Sequence, residues 1–272
     1  MKNYVIFGII IALILLNIKI YNVRMDMINK KETIKNVFNE ISTYKDENKD
    51  RYNSYKENNN NLSLEEIVKN VNINLDYEFY KKTFESINKH TPLVLVNKYY
   101  NLGSDYVPKN LVNFEYPYAI NNTIKGEKEA YDHFKDMASD ARAINLTIKI
   151  VSAYRDYEYQ KNLYENYLKN EPIEVVDTYS ARAGHSEHQT GYAFDVYNVE
   201  KPYTSFGETD EFKWLKNNGH LYGFIIRYKE DNTRITGYKN EPWHIRYVGI
   251  ENATYIYENN ITLEEYLLNK KK

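Results

Sequence analysis

The chain contains no cysteine. That excludes disulfide scaffolds, Cys-ligated zinc fingers, iron–sulfur clusters, cysteine nucleophiles and a thioether lipid anchor. It has no excess of one charge: 36 basic residues face 38 acidic ones, a net charge of −2, so no overall basic field draws it to nucleic acid. No G-x-G-x-x-G is present, and no H-E-x-x-H, which removes the dinucleotide fingerprint and the helical zinc-peptidase motif. Two S-x-x-K matches occur, at Ser42–Lys45 and Ser86–Lys89, but no Lys-Thr-Gly accompanies them, so a serine-type penicillin-binding enzyme is disfavoured.

What remains is an ordinary globular balance. Hydrophobic residues make up 42% and charged residues 27% of 272, enough for one or two domains with a real core. The wealth of Asn, Lys, Ile and Tyr, 29 of the last, reads as compositional background. The longest apolar run is Tyr4–Leu16, broken at Asn17 and continued by Ile18, Ile20, Tyr21 and Val23. With Lys19 snorkelling, it reaches the lower length limit for a membrane span. No small-x-small cleavage site follows, so residues 1–23 are expected to form an uncleaved transmembrane anchor; secretion after signal cleavage is the alternative. Residues 24–61 are expected to be a polar stem, because Lys45–Asn61 holds no aliphatic residue and ends in a run of Asn. The globular domain is expected over 62–272. Ser63-Leu-Glu-Glu66 matches a capping box and predicts a helix start.

Beyond Pro92, strand and helix patterns alternate without a repeating βαβ unit. Leu93–Val96, Leu146–Val151, Ala193–Tyr197, Phe224–Tyr228 and Trp243–Val248 read as strands. Gly126–Ala143, Asp156–Lys169 and Glu208–Asn218 read as helices, the last stopping near Gly219. This predicts an α+β fold with a small mixed or antiparallel sheet and flanking helices.

Polar groups crowd three segments beside strands: Ser152-Ala-Tyr-Arg155, Gly184-His-Ser-Glu-His-Gln-Thr-Gly-Tyr-Ala-Phe-Asp195 and Glu241-Pro-Trp-His244. His188 and Asp195 bracket a turn at Gly191, and His244 lies on another predicted strand. Two imidazoles and one carboxylate are a catalytic zinc donor set with a fourth position left for water. Glu241, three residues before His244, is placed to take a proton from that water without binding the metal. His90, His133 and His220 read as ordinary surface or packed residues. His185 reads as either a supporting group or a loop residue.

Jointly, Ser186-x-His-x-x-Gly-x-Ala-x-Asp195 and Glu241-Pro-Trp-His244 resemble the VanY-type D-alanyl-D-alanine carboxypeptidases, zinc enzymes of bacterial cell-wall metabolism. The Ser152–Gln160 segment matches in type and order, as do Leu93–Lys98 and Arg246–Gly249. The resemblance covers roughly Leu62 to the C-terminus. It implies a fold akin to the D-Ala-D-Ala dipeptidases and the zinc domain of hedgehog proteins. It implies one zinc per chain on His188, Asp195 and His244, with Glu241 as general base. It implies Arg155 as the cation that binds the substrate carboxylate or steadies the oxyanion, and Ser186 and Gln160 as substrate contacts. The implied substrate is a peptidoglycan stem peptide ending in D-Ala, which places the catalytic domain outside the cell membrane. An L,D-carboxypeptidase acting on tetrapeptide stems, or a non-catalytic wall-binding module, are the alternatives. Departures at Ala153, Tyr192 and Gly103 touch no ligand; Tyr192 bears on the pocket wall.

Overall fold

The computed structural model describes the backbone of residues 2–200 and 202–270, with side chains described except at 2–12, 31–37 and 203. The chain divides into two compact units, Met1–Asp76 and Tyr77–Lys272.

The first unit is helical: α1 (Lys2–Asn39), α2 (Lys49–Asn58) and α3 (Leu64–Asn72). The capping box forms as its sequence predicts. The Glu66 amide donates to Ser63 Oγ at 3.2 Å and the Ser63 amide to Glu66 Oε2 at 2.8 Å. The expected polar stem is corrected here, because Lys45–Asn61 is not extended. Its apolar surface is aromatic rather than aliphatic. Tyr52 on α2 is fully buried, with its ring 5.4 Å from Phe38 and from Tyr44, and it packs with Ile67, Val68 and Val71 of α3. Arg51 closes the far side, donating to Asp76 at 2.8 and 2.6 Å and to the Val71 carbonyl at 2.8 Å. The helix at Leu64 therefore belongs with the elements before it, and the second unit starts at Tyr77 rather than Leu62.

The expected transmembrane anchor falls partly on residues 1–12, whose side chains lie outside the described residues. Among the described residues no helix is long and apolar enough to cross a membrane.

The second unit holds β1 (Phe84–Glu85), β2 (Tyr100–Asn101), β3 (Leu111–Asn113), β4 (Lys125–Glu127), α4 (Lys128–Ala143), β5 (Lys149–Ser152), α5 (Tyr157–Leu168), α6 (Ile173–Val176), β6 (Ala193–Tyr197), α7 (Asp210–Asn218), β7 (Phe224–Tyr228), α8 (Thr233–Thr236), β8 (Glu241–Tyr247), α9 (Ile250–Glu258) and α10 (Leu263–Lys270). Four strands form an antiparallel sheet in the order β5-β6-β8-β7. The architecture is α+β, as the pattern predicts. On α4, Ala130, Phe134, Met137, Ala138 and Ala141 recur at helical spacing and pack on Phe194, Phe224 and Ile245 of the sheet. On α5, Asp156 caps the first turn by accepting from the Tyr159 amide at 2.7 Å.

One further expectation changes. Leu93–Val96, with Val94 and Val96 buried and Leu93 and Leu95 half-buried, is not a strand. Carbonyls in and just before it find side chains instead of a neighbouring strand: Arg246 Nη2 donates to Pro92 O at 2.9 Å and Val94 O at 2.7 Å, and Ser86 Oγ donates to Leu95 O at 2.7 Å. α7 ends at Asn218 with Gly219 as its C-cap, where the sequence predicts the stop; Gly219 keeps right-handed geometry and opens a 3-10 turn that ends at the left-handed Gly223, with φ of 86°.

If Tyr52 organises the first unit, Tyr52→Ala should cost it about 3–5 kcal/mol, the range for removing a buried aromatic ring. Chemical denaturation followed by amide hydrogen exchange on α2 and α3 checks this, and unchanged protection there would show that Tyr52 anchors no core.

Candidate metal centre

The centre is built on sheet register. Asp195 of β6 and His244 of β8 are direct cross-strand partners, so their side chains leave the same face side by side. His188 comes from the turn before β6. Residues Glu187–Thr190 form one 3-10 turn that ends at Gly191, with φ of 74°. A Cβ there would meet Glu127 Cγ at a tight 3.2 Å, so a side chain would be strained by the left-handed backbone and crowded as well. The His188 ring is then fixed from the end of β5: Nδ1 lies 2.6 Å from the Ala153 carbonyl. A carbonyl only accepts, so Nδ1 carries the proton and Nε2 carries the lone pair.

That Nε2 is buried and has no hydrogen-bond partner. It lies 3.4 Å from Asp195 Oδ2, and His244 Nδ1 lies 3.3 Å from Asp195 Oδ1. One donor atom from each of the three residues falls within 4.8 Å of the others. A tetrahedral zinc with ligands at roughly 2.0–2.1 Å has edges of about 3.3–3.4 Å, so these spacings and the orphaned nitrogen fit that ion. Burial, then the nearby Arg155 charge, holds His188 down at about 4, so at neutral pH it is the uncharged imidazole a metal requires. Burial also acts to lower His244, but its bonds to Asp195 and Glu187 prevail and raise it to about 9.

Glu241 stands at the start of β8, and strand alternation alone would point it away from His244, three residues on. A bulge overrides the alternation. Between the pairs Ile226–Ile245 and Tyr228–Glu241, β7 supplies Arg227 alone while β8 supplies Pro242, Trp243 and His244. Pro242, which has no amide to donate, is tolerated in such a break. The result brings Glu241 Oε2 to 3.7 Å from His244 Nδ1. Burial, followed by the Asp195 and Glu187 charges, pushes the Glu241 carboxyl up to about 7 against the pull of His244 and Arg155.

A pocket of about 130 Å³ opens over these groups, and Arg155, Gln160, Ser186, Tyr228, Tyr238 and Trp243 line it as well. Every predicted site residue is therefore brought to one place. Gln160 Nε2 is engaged with the Ala181 carbonyl at 2.7 Å, while Gln160 Oε1 and Arg155 Nε are buried without partners. His185 is not among the lining residues: its Nδ1 lies 2.7 Å from Asn97 O and its ring meets Tyr80 edge-on. Tyr192 belongs to the core, and Trp243 both packs on that core and lines the pocket. His90, His133 and His220 each stack on a tyrosine, Tyr106, Tyr247 and Tyr257 respectively, away from the centre.

Sequence reasoning passed over Glu187, Arg227 and Arg246. Glu187 has a fully buried side chain 3.5 Å from His244 Nε2 and ion-paired to both arginines. The one available signal for the arginines was a guanidinium inside each of two mostly apolar strands, Phe224–Tyr228 and Trp243–Val248, the second of which also carries His244.

Comparison with known proteins supplies independent findings. A family model described as VanY, D-alanyl-D-alanine carboxypeptidase, matches residues 123–250. The Bacillus subtilis protein YodJ is 38% identical over 191 residues, covering 68% of this chain and 70% of that one. A D-alanyl-D-alanine carboxypeptidase of Enterococcus faecium is 36% identical over 183 residues, covering 64% of this chain and 57% of that one. The solved LD-carboxypeptidase LdcB superposes with a TM-score of 0.64 at 37% identity, over 68% of this chain and 89% of its own. A mutant of the vancomycin-resistance D,D-pentapeptidase VanY, solved with Zn(II), gives 0.54 at 34% identity, over 65% and 98%.

Zinc uptake should be pH-dependent, because His244 must shed its proton before Nδ1 can bind. Apparent affinity should rise by roughly tenfold per pH unit for each proton displaced, from about pH 6 towards 9. Chelator competition at several pH values checks this, and a flat profile would mean that His244 is not a ligand.

Proposed function

Because this chain belongs to the VanY-type D-alanyl-D-alanine carboxypeptidase family of zinc peptidases, we propose that it removes the C-terminal D-alanine from peptidoglycan stem peptides. The observation that carries this reading is the convergence of a buried, high-pKa Glu241, a three-residue donor set and an unpartnered Arg155 nitrogen on one small pocket. His188, Asp195 and His244 would hold the zinc ion, which would supply Lewis-acid polarisation of the scissile carbonyl and a lowered pKa for the attacking water.

The chain's own side chains do the rest. Arg155 offers a guanidinium to the free carboxylate of the terminal residue, a planar fork that matches it two-to-two. Gln160 Oε1 and the Ser186 hydroxyl are available to substrate polar groups. Glu241 accepts the proton of the attacking water as the C–O bond forms. It returns that proton to the departing amine nitrogen as the C–N bond breaks, leaving the shortened peptide and free alanine. A carboxyl near 7 is suited to both halves of that transfer. A non-catalytic wall-binding module has no use for a base so placed, which argues against that alternative.

A second reading is kept on one observation. The LD-carboxypeptidase superposes with the higher TM-score of the two solved structures, 0.64 against 0.54. The two activities share metal, base and fold, and differ in the configuration of the bond that the pocket accepts.

The proposed site of action is outside the cytoplasmic membrane, where stem peptides are. The side chains of Leu13, Leu15, Leu16, Ile18 and Ile20 on α1, each about half exposed, support attachment of this helix to a membrane. Protease added to intact, wall-stripped cells should remove the second unit; complete protection would refute the placement.

Glu241→Gln should keep zinc and lose roughly 10²–10⁴ in kcat, the range for general acid–base catalysis. Near-wild-type turnover would remove the role, and loss of zinc would make Glu241 a ligand. Mass spectrometry of pentapeptide and tetrapeptide stems, each as acid and as C-terminal amide, reads specificity directly. Cleavage of the pentapeptide acid is expected, with the amide a poor substrate. Cleavage of the tetrapeptide alone would establish the second reading, and equal cleavage of acid and amide would take carboxylate recognition away from Arg155.

A further inference from the structure

Behind the metal centre lies a chain of buried charges that the proposed reaction does not use. Glu187, Arg227, Arg246 and Glu264 are all between 0% and 3% exposed. Glu187 divides its two oxygens between different tasks. Oε1 accepts from Arg227 Nε at 2.8 Å and pairs with Arg246 Nη1 at 2.9 Å. Oε2 faces His244 Nε2 at 3.5 Å. Arg227 spends its remaining two nitrogens on Glu264, at 3.0 and 2.7 Å, and Asn97 Nδ2 adds a third bond to that carboxylate at 3.0 Å. Glu264 is in the first turn of α10.

Two features separate this arrangement from a simple buried ion cluster. The four charges balance, two carboxylates against two guanidiniums, so the cluster does not require a charged His244 to be neutral overall. Arg227 is the single β7 residue opposite the bulge that delivers Glu241 and His244. It therefore fills the space behind the irregular part of β8, at the strand segment where the ligand geometry is set.

We propose that Glu187 is a positioning residue for the metal ligand His244, held in register by α10 through Glu264 and Arg227. The inference rests on the zinc reading given above. A carboxylate at Nε2 draws the ring proton to that nitrogen and leaves the Nδ1 lone pair turned towards Asp195 and the metal position. The two arginines and Glu264 prevent the carboxylate from moving towards or away from the ring. The C-terminal helix, remote in sequence from every ligand, thus acts on ligand orientation.

The test is zinc affinity, measured on the full chain by competition with a chelator of known affinity, beside thermal unfolding of the zinc-free protein. Glu187→Gln should weaken zinc binding by about 10–100-fold, the usual effect of removing a partner that orients a metal-bound histidine. Glu264→Gln should weaken it by a smaller factor, on the order of a few-fold. Tyr52→Ala, in the core of the first unit, should lower the thermal stability of that unit and leave zinc affinity where it was. Wild-type affinity in Glu187→Gln, whatever its stability, would make the cluster purely structural and overturn the inference. If that variant does not fold, Glu264→Gln decides, and unchanged affinity there is equally fatal. A wild-type protein that takes up no zinc would defeat the zinc reading itself, whereas tight wild-type binding with unaffected variants would defeat only the positioning role.

Discussion

The site depends on one registration, that of Asp195 on β6 against His244 on β8. Antiparallel pairing places directly opposed side chains close together on one face. A one-residue slip of either strand would send its ligand to the core side and separate the pair. The core holds the register: Phe194 and Ile245, which alternate with the ligands along their strands, are fully buried beneath α4. Hydrophobic packing on one face of the sheet therefore determines metal geometry on the other.

The other face cannot be apolar, and its charges are handled by pairing. Removing ionised groups from water is costly unless each finds a partner. Asp195 is held well below the usual carboxylate range, its burial outweighed by His188 and His244. Glu187 is likewise held down by Arg227 and Arg246. Glu241 is the exception. Its cationic neighbours do not outweigh burial and two nearby carboxylates, and its pKa rises. The same low-dielectric pocket thus keeps one carboxylate ionised and makes another a proton carrier, the separation of roles that acid–base chemistry needs.

Tyrosine does more in this molecule than its abundance alone conveys. Tyr52 organises the helical unit, Tyr247 joins the sheet to Glu129 on α4 with a 3.0 Å bond from its hydroxyl, and the Tyr228 and Tyr238 rings pack at a tilt, 4.6 Å apart, along the pocket wall. Each contributes an apolar ring and one polar tip. A count of aliphatic residues therefore underestimates which segments can bury a core, and Lys45–Asn61 is the example.

The sequence by itself determined the elements whose signal is local: the capping box at Ser63, the α4 stripe from Ala130 to Ala141, the strand Ala193–Tyr197 and the three polar segments that carry the site. Side-chain type and order within those segments pointed to His188, Asp195, His244 and Glu241, and the family resemblance added Arg155. Tertiary structure decided what depends on distant neighbours. Leu93–Val96 has strand composition but lacks a strand partner; Arg246, some 150 residues away, takes the Val94 carbonyl and Ser86 takes that of Leu95. Glu241 reaches the metal side only through a bulge set by pairing with β7. Glu187 reads as one more polar loop residue until Arg227 and Arg246 converge on it from two strands, with Glu264 of α10 holding Arg227 from behind. Periodicity reports how a residue faces its own element; which groups meet across elements is fixed by packing and charge balance in the folded interior.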